Sequence, residues 1–541
     1  MKTGIIGLWG DSVQISRLEI DNHKCLVDFK ILLSTIDGGS SSILIGENGT
    51  GKSSMLESLL DIIMSFESDS VERNIGYSYR LDYIFAGSQY RIDEVEHKYR
   101  IEIDGEQQFT GSMGSVREML RKTKKRIFPS RVMVFYSGTN NNMYSQVKKI
   151  NSRYVVKCRK ALLNYGKSFR NGLIIEYEHF PERRFNYCED ALTPVLLSSI
   201  MGGKESEEKT ILSQCCQFSK IHYIKLSVNM DEMLLRFGVY DRVDEIVDDV
   251  YTVFEYVDPV LGEYLRSCYE YSDDGKAYFE LEDIESLGLD SITIFNFLEK
   301  MLSLFKGEIE VNVYQGETSV KCSDLSEGQR QLIKILGMLG LCKNEDCLVL
   351  MDEPDAHMNP RWKYEIKPII DRCLAGATNT QAIIATHDPL VINGVDKKYI
   401  RIFTFNPHYI ENYNWYFTKV IEPTEDTEGL GIDGLLQSEY YGLRTSYDKK
   451  ATDKFTRRQE LYSKLVNGDA DEDEKEELRA LTKEIGSLPM SYNSIDFLYD
   501  DFISVYKNTD LFAKQYLSFD EIQKRRKKIE EILTALYEGQ V

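Results

Sequence analysis

The chain has 541 residues, more than one compact core can hold, and this length predicts about three or four domains. Its 42% hydrophobic and 28% charged residues are typical of globular proteins, and no apolar stretch is long enough to cross a bilayer, so we expect a cytoplasmic protein without membrane contact. The net charge of −21 argues against a general nucleic-acid coat, and ten cysteines without a CxxC pair argue against a structural zinc site and favour reduced thiols.

The N-terminal region alternates apolar and polar residues, which predicts strands. Two strands are expected within 13–33, turning at Asp21-Asn22-His23, and further strands over 80–115 with a turn at Asp104-Gly105. Between these regions, SSILIGENGTGKSSMLESLLDIIMSF predicts a buried strand, a glycine-rich loop and an amphipathic helix.

The segment 117–170 is strongly basic, with 15 Lys and Arg residues against one acid, Glu118. Two interpretations remain open: a solvated basic face, or an electrostatic footprint for the phosphates of DNA or RNA. In the second interpretation the candidate contacts are Arg121, Lys122, Lys124, Lys125 and Arg126.

The rest of the chain predicts four regions. They are an N-terminal lobe over 1–185, a mainly helical insertion over 186–305, a C-terminal lobe over 306–424 that completes one head with the first, and a helical appendage over 425–541. In the last helix Ile522, Ile529, Ile532, Leu533 and Leu536 fall largely on one face, and we expect the appendage to dock a partner.

The glycine-rich loop fits the P-loop pattern GxxxxGK[ST] and lies between a strand and a helix, as a phosphate-binding loop must. Its glycines let backbone N–H groups curl around phosphates, Lys52 reaches the β- and γ-phosphates, and the Ser53 hydroxyl ligates Mg²⁺. The predicted nucleotide-binding residues are Gly46, Glu47, Asn48, Gly49, Thr50, Gly51, Lys52, Ser53 and Ser54.

Two further strands end in polar residues. The apolar run Leu348 to Met351 ends at Asp352 and Glu353, where Asp352 would hold Mg²⁺ and Glu353 would polarise an attacking water. The strand AIIAT ends at His387, which can hydrogen-bond a γ-phosphate or that water, and we expect this strand to lie beside the Asp352 strand. The implied cofactors are ATP and Mg²⁺.

The peptide LSEGQ at 325–329, with the P-loop, the Asp352 strand, the PDAH segment and His387, resembles the ordered motifs of ATP-binding-cassette (ABC) ATPases. The resemblance implies a mixed α/β head that forms a homodimer or a higher even oligomer. It also implies that the signature residues Ser326, Glu327, Gly328 and Gln329 complete the partner's ATP site, with Ser326 and Gly328 at the γ-phosphate. A Q-loop glutamine is expected, and the sequence offers Gln89 and Gln146 without deciding between them.

The 271 residues between Ser53 and Leu325 are typical of the SMC-like and OLD-like branch of this class, although the long coiled coil, the zinc hook and the Toprim domain of its members are missing. The segments DEPDAHMNP, THDPLVI and GIDGLLQSEYYGL are similar to bacterial AAA-family ATPases of antiphage systems, of the PtuA type found in Septu and some retrons. This similarity implies an HNH nuclease partner and, in retrons, a reverse transcriptase with its RNA–DNA product.

The chain has no His after His408 and no Cys after Cys373, so we expect no nuclease site of its own in that region. Two alternatives stay open: a DNA repair or recombination ATPase that acts on DNA ends, and a scaffold with vestigial ATPase activity. Glu353 argues against the scaffold, because binding ATP does not require a general base.

Overall fold

The computed structural model describes residues 13–33, 40–67, 75–137, 142–170, 183–229, 232, 254–271, 276–343, 345–375, 377, 379–410, 413–443, 448–467 and 470–486. The chain divides into two compact units, Met1–Gly442 and Leu443–Val541. No helix among the described residues has both the length and the apolar character needed to span a membrane. The ten cysteines all lie among the described residues, and none of them forms a disulfide bond.

The first sheet of the larger unit has six antiparallel strands in the order β2-β1-β4-β5-β6-β7. They are β1 (Gln14–His23), β2 (Leu26–Leu32), β4 (Tyr79–Phe85), β5 (Ser88–Val95), β6 (Lys98–Ile103) and β7 (Glu106–Gly111). The predicted turn at Asp104-Gly105 is confirmed, with φ of 52° and 82°. The other predicted turn lies further along the chain than expected: His23 pairs with Leu26, and Lys24 takes the left-handed conformation that turns the chain.

The central sheet has seven strands in the order β18-β17-β3-β16-β15-β8-β9. They are β3 (Ser40–Gly46), β8 (Arg131–Tyr136), β9 (Phe185–Tyr187), β15 (Cys347–Asp352), β16 (Thr380–Thr386), β17 (Ile400–Ile410) and β18 (Tyr413–Ile421). Neighbouring strands are parallel except for the antiparallel pair β17–β18.

Alternate residues of the central strands face two different cores, as the two-residue period of a strand requires. Leu348 and Leu350 pack with the first sheet and the P-loop helix, whereas Val349 and Met351 pack with the helices on the opposite face. This burial on both faces explains why β15 is a continuous apolar run.

A third sheet has five antiparallel strands in the order β11-β12-β10-β13-β14. They are β10 (Phe218–Asn229), β11 (Tyr269–Tyr271), β12 (Lys276–Leu281), β13 (Glu308–Gln315) and β14 (Thr318–Lys321). The prediction of a mainly helical insertion over 186–305 omitted β10, β11 and β12, although the alternation of Ile224, Leu226 and Val228 is a strand signal.

The helices of the larger unit flank these sheets. They are α1 (Lys52–Glu67), α2 (Met113–Thr123), α3 (Asn142–Arg170), α4 (Thr193–Gly202), α5 (Glu207–Cys216), α6 (Pro259–Ser267), α7 (Ser291–Phe305), α8 (Glu327–Gly340), α9 (Pro360–Leu374), α10 (Pro389–Ile392) and α11 (Gly431–Gln437). The mixed central sheet with its flanking helices, and the loop 46–53 between β3 and α1, confirm the predicted mixed α/β head.

The smaller unit is described through two helices, α12 (Lys449–Asn467) and α13 (Glu472–Gly486). They pack together through the buried Leu461 and Leu478, and Arg457 donates two hydrogen bonds of 2.9 and 2.8 Å to the Glu477 carboxylate. The predicted apolar face over 522–536 lies outside the described residues.

The boundary between the units lies later than the predicted start of the appendage at residue 425. Leu435 and Tyr440 are buried in one cluster with Ile43 and Ile45 of β3. Residues 425–442 therefore belong to the packing of the head.

Candidate nucleotide-binding site

The order β3-β16-β15 brings three predicted motifs to one edge of the central sheet. The pairing of Ile45 with Thr386 and of Ala385 with Asp352 aligns the carboxyl ends of the three parallel strands. The P-loop, His387 and the Asp352-Glu353 pair therefore meet at this edge, where open α/β sheets bind ligands. The expectation that the His387 strand lies beside the Asp352 strand is confirmed.

The P-loop backbone needs glycine for two reasons, conformation and space. Gly46, Gly49 and Gly51 have φ of 149°, 83° and 100°. A Cβ on Gly46 would lie 2.1 Å from the Phe403 carbonyl oxygen, and one on Gly51 would lie 2.5 Å from Thr418 Oγ1. Strands β17 and β18 thus hold the loop closely from one side.

Replacement of Gly46 by Ala should destabilise the protein by about 2–4 kcal/mol and abolish ATP binding, because the methyl group collides with backbone in a strained conformation. Chemical denaturation and nucleotide titration measure the two effects. Gly76→Ala is the matched control, since a Cβ there meets nothing within 4 Å. Equal stability and equal ATP affinity of the two variants would contradict this account of the loop.

The Lys52 side chain is buried within the P-loop. Its Nζ donates hydrogen bonds to the carbonyl oxygens of Gly46, at 2.6 Å, and Glu47, at 3.0 Å, and the residue is 6% exposed. Burial lowers the pKa of Lys52, and the nearby carboxylates of Asp352 and Glu353 act against this shift. The ammonium group therefore lies next to the backbone of the loop, and the tip of the loop, Glu47 to Gly49, is exposed.

Asp352 is a buried carboxylate without hydrogen-bond partners of normal geometry for either side-chain oxygen among the described residues. Burial raises the pKa of Asp352 to about 6, and the nearby Ser53 hydroxyl opposes this shift. Unsatisfied buried carboxylate oxygens are costly unless a cation takes them. Asp352 and Ser53 supply the hard oxygen ligands that Mg²⁺ prefers, so these residues fit the implied metal.

Glu353 follows β15 in the left-handed conformation, with φ of 51°. Its backbone N–H donates to the Ala385 carbonyl oxygen at 2.8 Å, which fixes the residue against β16. Glu353 Oε1 lies 3.0 Å from His387 Nδ1, and the side chains are 33% and 50% exposed. The pair is hydrogen-bonded and accessible to water, as a general base and its orienting residue must be.

The signature peptide begins helix α8 and makes local contacts. Ser326 and Gln329 form a capping box, in which Gln329 N donates to Ser326 Oγ at 3.3 Å and Ser326 N donates to Gln329 Oε1 at 3.0 Å. Glu327 lies 3.3 Å from His357, and a Cβ on Gly328 would lie 3.3 Å from the His357 carbonyl oxygen. The hydrogen bonds and ion pairs described for these residues do not reach the P-loop of the same chain.

A cavity of about 340 Å³ adjoins the signature. It is lined from α8 by Glu327, Arg330 and Lys334 and from the end of β8 by Tyr136 and Ser137. The signature therefore faces open space on the surface of the head.

Parts of this chain are similar to known proteins. Residues 240–393 match a family model described as "AAA domain, putative AbiEii toxin, Type IV TA system". The Septu protein PtuA of Bacillus mycoides (strain KBAB4) is 31% identical over 209 residues, which is 37% of this chain and 26% of PtuA. The "Retron Vc95 probable ATPase" of Vibrio cholerae serotype O1 biovar El Tor is 20% identical over 437 residues, 77% of each chain.

The chain resembles the AAA-type ATPases of antiphage defence. The matched segment spans about a quarter of PtuA. Among solved structures, the Smc head domain bound to the C-terminal domain of ScpA, from Pyrococcus furiosus, aligns with 76% of this chain and 96% of its own at 12% identity and a TM-score of 0.32. The SMC head domain from Thermotoga maritima aligns with 76% of this chain and 100% of its own at 10% identity and a TM-score of 0.31.

The structure of this ATPase-like head adds residues that the sequence did not single out. Thr418 Oγ1 of β18 donates to the Thr50 carbonyl oxygen at 2.8 Å and so holds the P-loop. Asp355, in the PDAH segment, accepts a hydrogen bond of 2.9 Å from Thr386 Oγ1, and burial raises its pKa. These contacts join segments far apart in sequence, so local pattern could not reveal them.

The two candidates for the Q-loop lie in different places. Gln89 is the second residue of β5 in the first sheet, and its N–H donates to Asp104 Oδ1 at 2.8 Å. Gln146 lies on α3, with a buried Oε1 that has no hydrogen-bond partner in the described part of the chain. The segment after β8 contacts the nucleotide edge instead through Ser137, whose Oγ donates to the Glu353 carbonyl oxygen at 2.5 Å.

A buried glutamate on α1 connects three elements around this edge. Glu57 is 4% exposed, forms an ion pair with Lys24 of the β1–β2 turn and accepts a hydrogen bond of 3.5 Å from Asn142 Nδ2 at the start of α3. Its charge also raises the pKa of Asp352. Glu57 therefore connects the turn, the P-loop helix and α3 beside Asp352.

The five basic residues predicted to contact nucleic acid lie elsewhere. Arg121 and Lys122 are in the last turn of α2, and Lys124 to Arg126 follow it, before β8 begins at Arg131. The start of β8 belongs to the amino edge of the central sheet, opposite the P-loop.

Proposed function

We propose that this protein binds and hydrolyses ATP with Mg²⁺ and that its nucleotide state controls a separate nuclease in an antiphage defence complex. The observation that carries the ATPase part is the meeting of Lys52, Ser53, Asp352, Glu353 and His387 at one sheet edge. Binding alone needs the loop and the metal ligands, whereas the Glu353–His387 pair adds the group that hydrolysis requires.

The residues divide the chemistry among them. Lys52 and the P-loop N–H groups bind the phosphates, and Ser53 and Asp352 would hold Mg²⁺, which neutralises phosphate charge when bound. Glu353 polarises the attacking water and accepts its proton. His387 Nδ1, at 3.0 Å from Glu353 Oε1, orients the carboxylate and leaves Oε2 for the water.

The exposed signature supports assembly of two heads into a homodimer or a higher even oligomer. Ser326 and Gly328 lie at the start of α8, and the backbone N–H groups of a first helical turn have no acceptors inside the helix. A second head that brings its P-loop to this helix start gains anion-binding groups that the first head supplies. Each ATP site is then completed by the partner.

Control of a separate nuclease is supported by similarity and by composition. The matched relatives carry the names of a Septu protein and a retron ATPase. Since the chain has no His after His408 and no Cys after Cys373, its C-terminal part lacks the ligands of an HNH or zinc nuclease site. An HNH-type subunit would cut, and in a retron version a reverse transcriptase and its RNA–DNA product would join the assembly.

The smaller unit is the proposed dock for that nuclease. A truncation after Gly442 keeps Leu435 and Tyr440 in the head and removes α12 and α13. Co-expressed with the candidate HNH protein, this variant should retain Mg²⁺-dependent hydrolysis and lose nuclease co-purification, whereas the full chain keeps both. A truncation after residue 424 is the comparison, and its loss of the Leu435 packing should make it insoluble or inactive.

Retention of the nuclease by the 1–442 variant would place the dock on the head and overturn this part of the proposal. A full chain that binds DNA ends stably and captures no HNH protein would instead favour a DNA repair or recombination ATPase.

A further inference from the structure

A cavity of about 300 Å³ lies between the last turn of α1, the end of α2 and the segment before β8. Seven of its eleven described lining residues are Lys or Arg, and the one acid among them is Glu67. Because α1 ends and β8 begins here, this basic pocket lies at the edge of the head opposite the P-loop. It is therefore separate from the nucleotide-binding site.

Two arginines of the basic pocket are fixed by backbone carbonyls. Arg117 donates from Nε, at 3.0 Å, and from Nη2, at 2.5 Å, to the Ser65 carbonyl oxygen near the end of α1. Arg184 donates from Nη2 to the Pro129 carbonyl oxygen at 2.7 Å and forms an ion pair with Glu67. The wall of the pocket is thus rigid, and its single acid is already paired.

The other cations differ in whether an acid balances them. Arg126 pairs with Asp346 at 2.5 Å, and Lys122, which neighbours the pocket without lining it, pairs with Glu118 at 2.7 Å. Lys124, Lys125 and Lys157 are exposed and form no ion pair with the residues that the structure describes. Of these three, Lys157 comes from α3 and was not among the predicted contacts.

Clustered lysines repel one another, and a bound anion removes that repulsion. The anion that this surface suits is extended, because the positive charge continues along α3. Lys149, Arg153, Lys157 and Lys160 are exposed and spaced by four, four and three residues, which places them on one face of the helix. The row spans about 16 Å at the rise of an α-helix, a length that a polymer of phosphates covers and a single phosphate does not.

We infer that the basic pocket and the adjoining row on α3 bind the backbone phosphates of a nucleic-acid strand. Lys124, Lys125 and Lys157 supply the charge at the pocket, while Arg117 and Arg184 shape it. The site does not need ATP hydrolysis, so its failure and that of the proposed ATPase are distinguishable.

The test uses the full chain and a fluorescently labelled single-stranded DNA of mixed sequence, titrated at several salt concentrations. The triple variant Lys124→Glu, Lys125→Glu, Lys157→Glu should bind at least tenfold more weakly than the parent. Its salt dependence should flatten by roughly 2 in log–log slope, as expected for three lost phosphate contacts on a single strand. The variant should still hydrolyse ATP at the parent rate.

The matched control Lys204→Glu, Lys220→Glu, Lys225→Glu makes the same change of net charge at exposed positions outside the basic pocket. It should bind the DNA nearly as the parent does. If both triple variants bound the DNA equally weakly, the loss of affinity would come from the change in net charge alone, and the inference would be overturned. Parent-like binding by the Lys124, Lys125, Lys157 variant would overturn it as well. Binding of inorganic phosphate by the parent, with no binding of the DNA, would show a small-anion site and overturn the inference.

Discussion

Glu353→Gln should slow ATP hydrolysis by about 10²–10⁴-fold and leave ATP binding intact. Glutamine keeps the shape of the side chain and can still hydrogen-bond His387, which lies 3.0 Å from Glu353 in the parent. It has no carboxylate to accept the proton of the attacking water. The protein should therefore bind ATP and stall before the chemical step.

Single-turnover phosphate release, together with a nucleotide titration, separates the two effects. Glu365→Gln is a suitable control, because it makes the same chemical change on α9, where the carboxylate pairs with Arg361 at 3.4 Å. A Glu353→Gln protein that turns over at the parent rate would remove Glu353 from the mechanism.

The second large effect is expected from mixing two inactive chains. Lys52→Ala removes the phosphate-binding cation, and Ser326→Arg places a bulky charge at the start of α8. If the signature acts on the partner's site, a heterodimer of these chains has one intact site, with Lys52 from one subunit and Ser326 from the other. The second site carries both defects.

Random exchange of subunits should restore roughly a quarter of the parent hydrolysis rate, since half of the dimers are mixed and each has one of two sites intact. Each variant alone supplies the baseline, and differently tagged chains verify that heterodimers form. No recovery in proven heterodimers would show that each site is built within one chain.

Much of the head follows from local sequence pattern. Three elements could be predicted because each has a short apolar run followed by a recognisable polar motif. These motifs are the glycine-rich loop with Lys52, the carboxylate pair at Asp352, and His387. Their meeting follows from one rule, that carboxyl ends of neighbouring parallel strands share an edge. The structure confirms the adjacency of the His387 and Asp352 strands.

What pattern could not supply depends on contacts between distant segments. Thr418 bonds Thr50 across 368 positions, and the five-stranded sheet joins strands separated by helices. The head ends later in the sequence than predicted for the same reason, because the burial of Leu435 against β3 is a tertiary contact. The predicted start of the appendage at residue 425 was based on composition. The sequence becomes acidic and helical there, although residues up to Gly442 still pack with the head.

The basic segment shows a third kind of difference between sequence and structure. Charge density selected a run around Arg121 to Arg126, whereas the pocket joins part of that run to Lys157 of α3 and Arg184. Charge density in the sequence also does not show which cations are paired. In the structure Lys122 pairs with Glu118, and Arg126 pairs with Asp346.

Phosphate release from ATP by the full chain, compared between the parent and Lys52→Ala with and without Mg²⁺, tests the central claim most directly. The parent should hydrolyse ATP only when Mg²⁺ is present, and Lys52→Ala should release phosphate at the background rate. A parent that binds ATP without releasing phosphate, or a Lys52→Ala variant with the parent rate, would contradict the assignment of this sheet edge as the ATPase site.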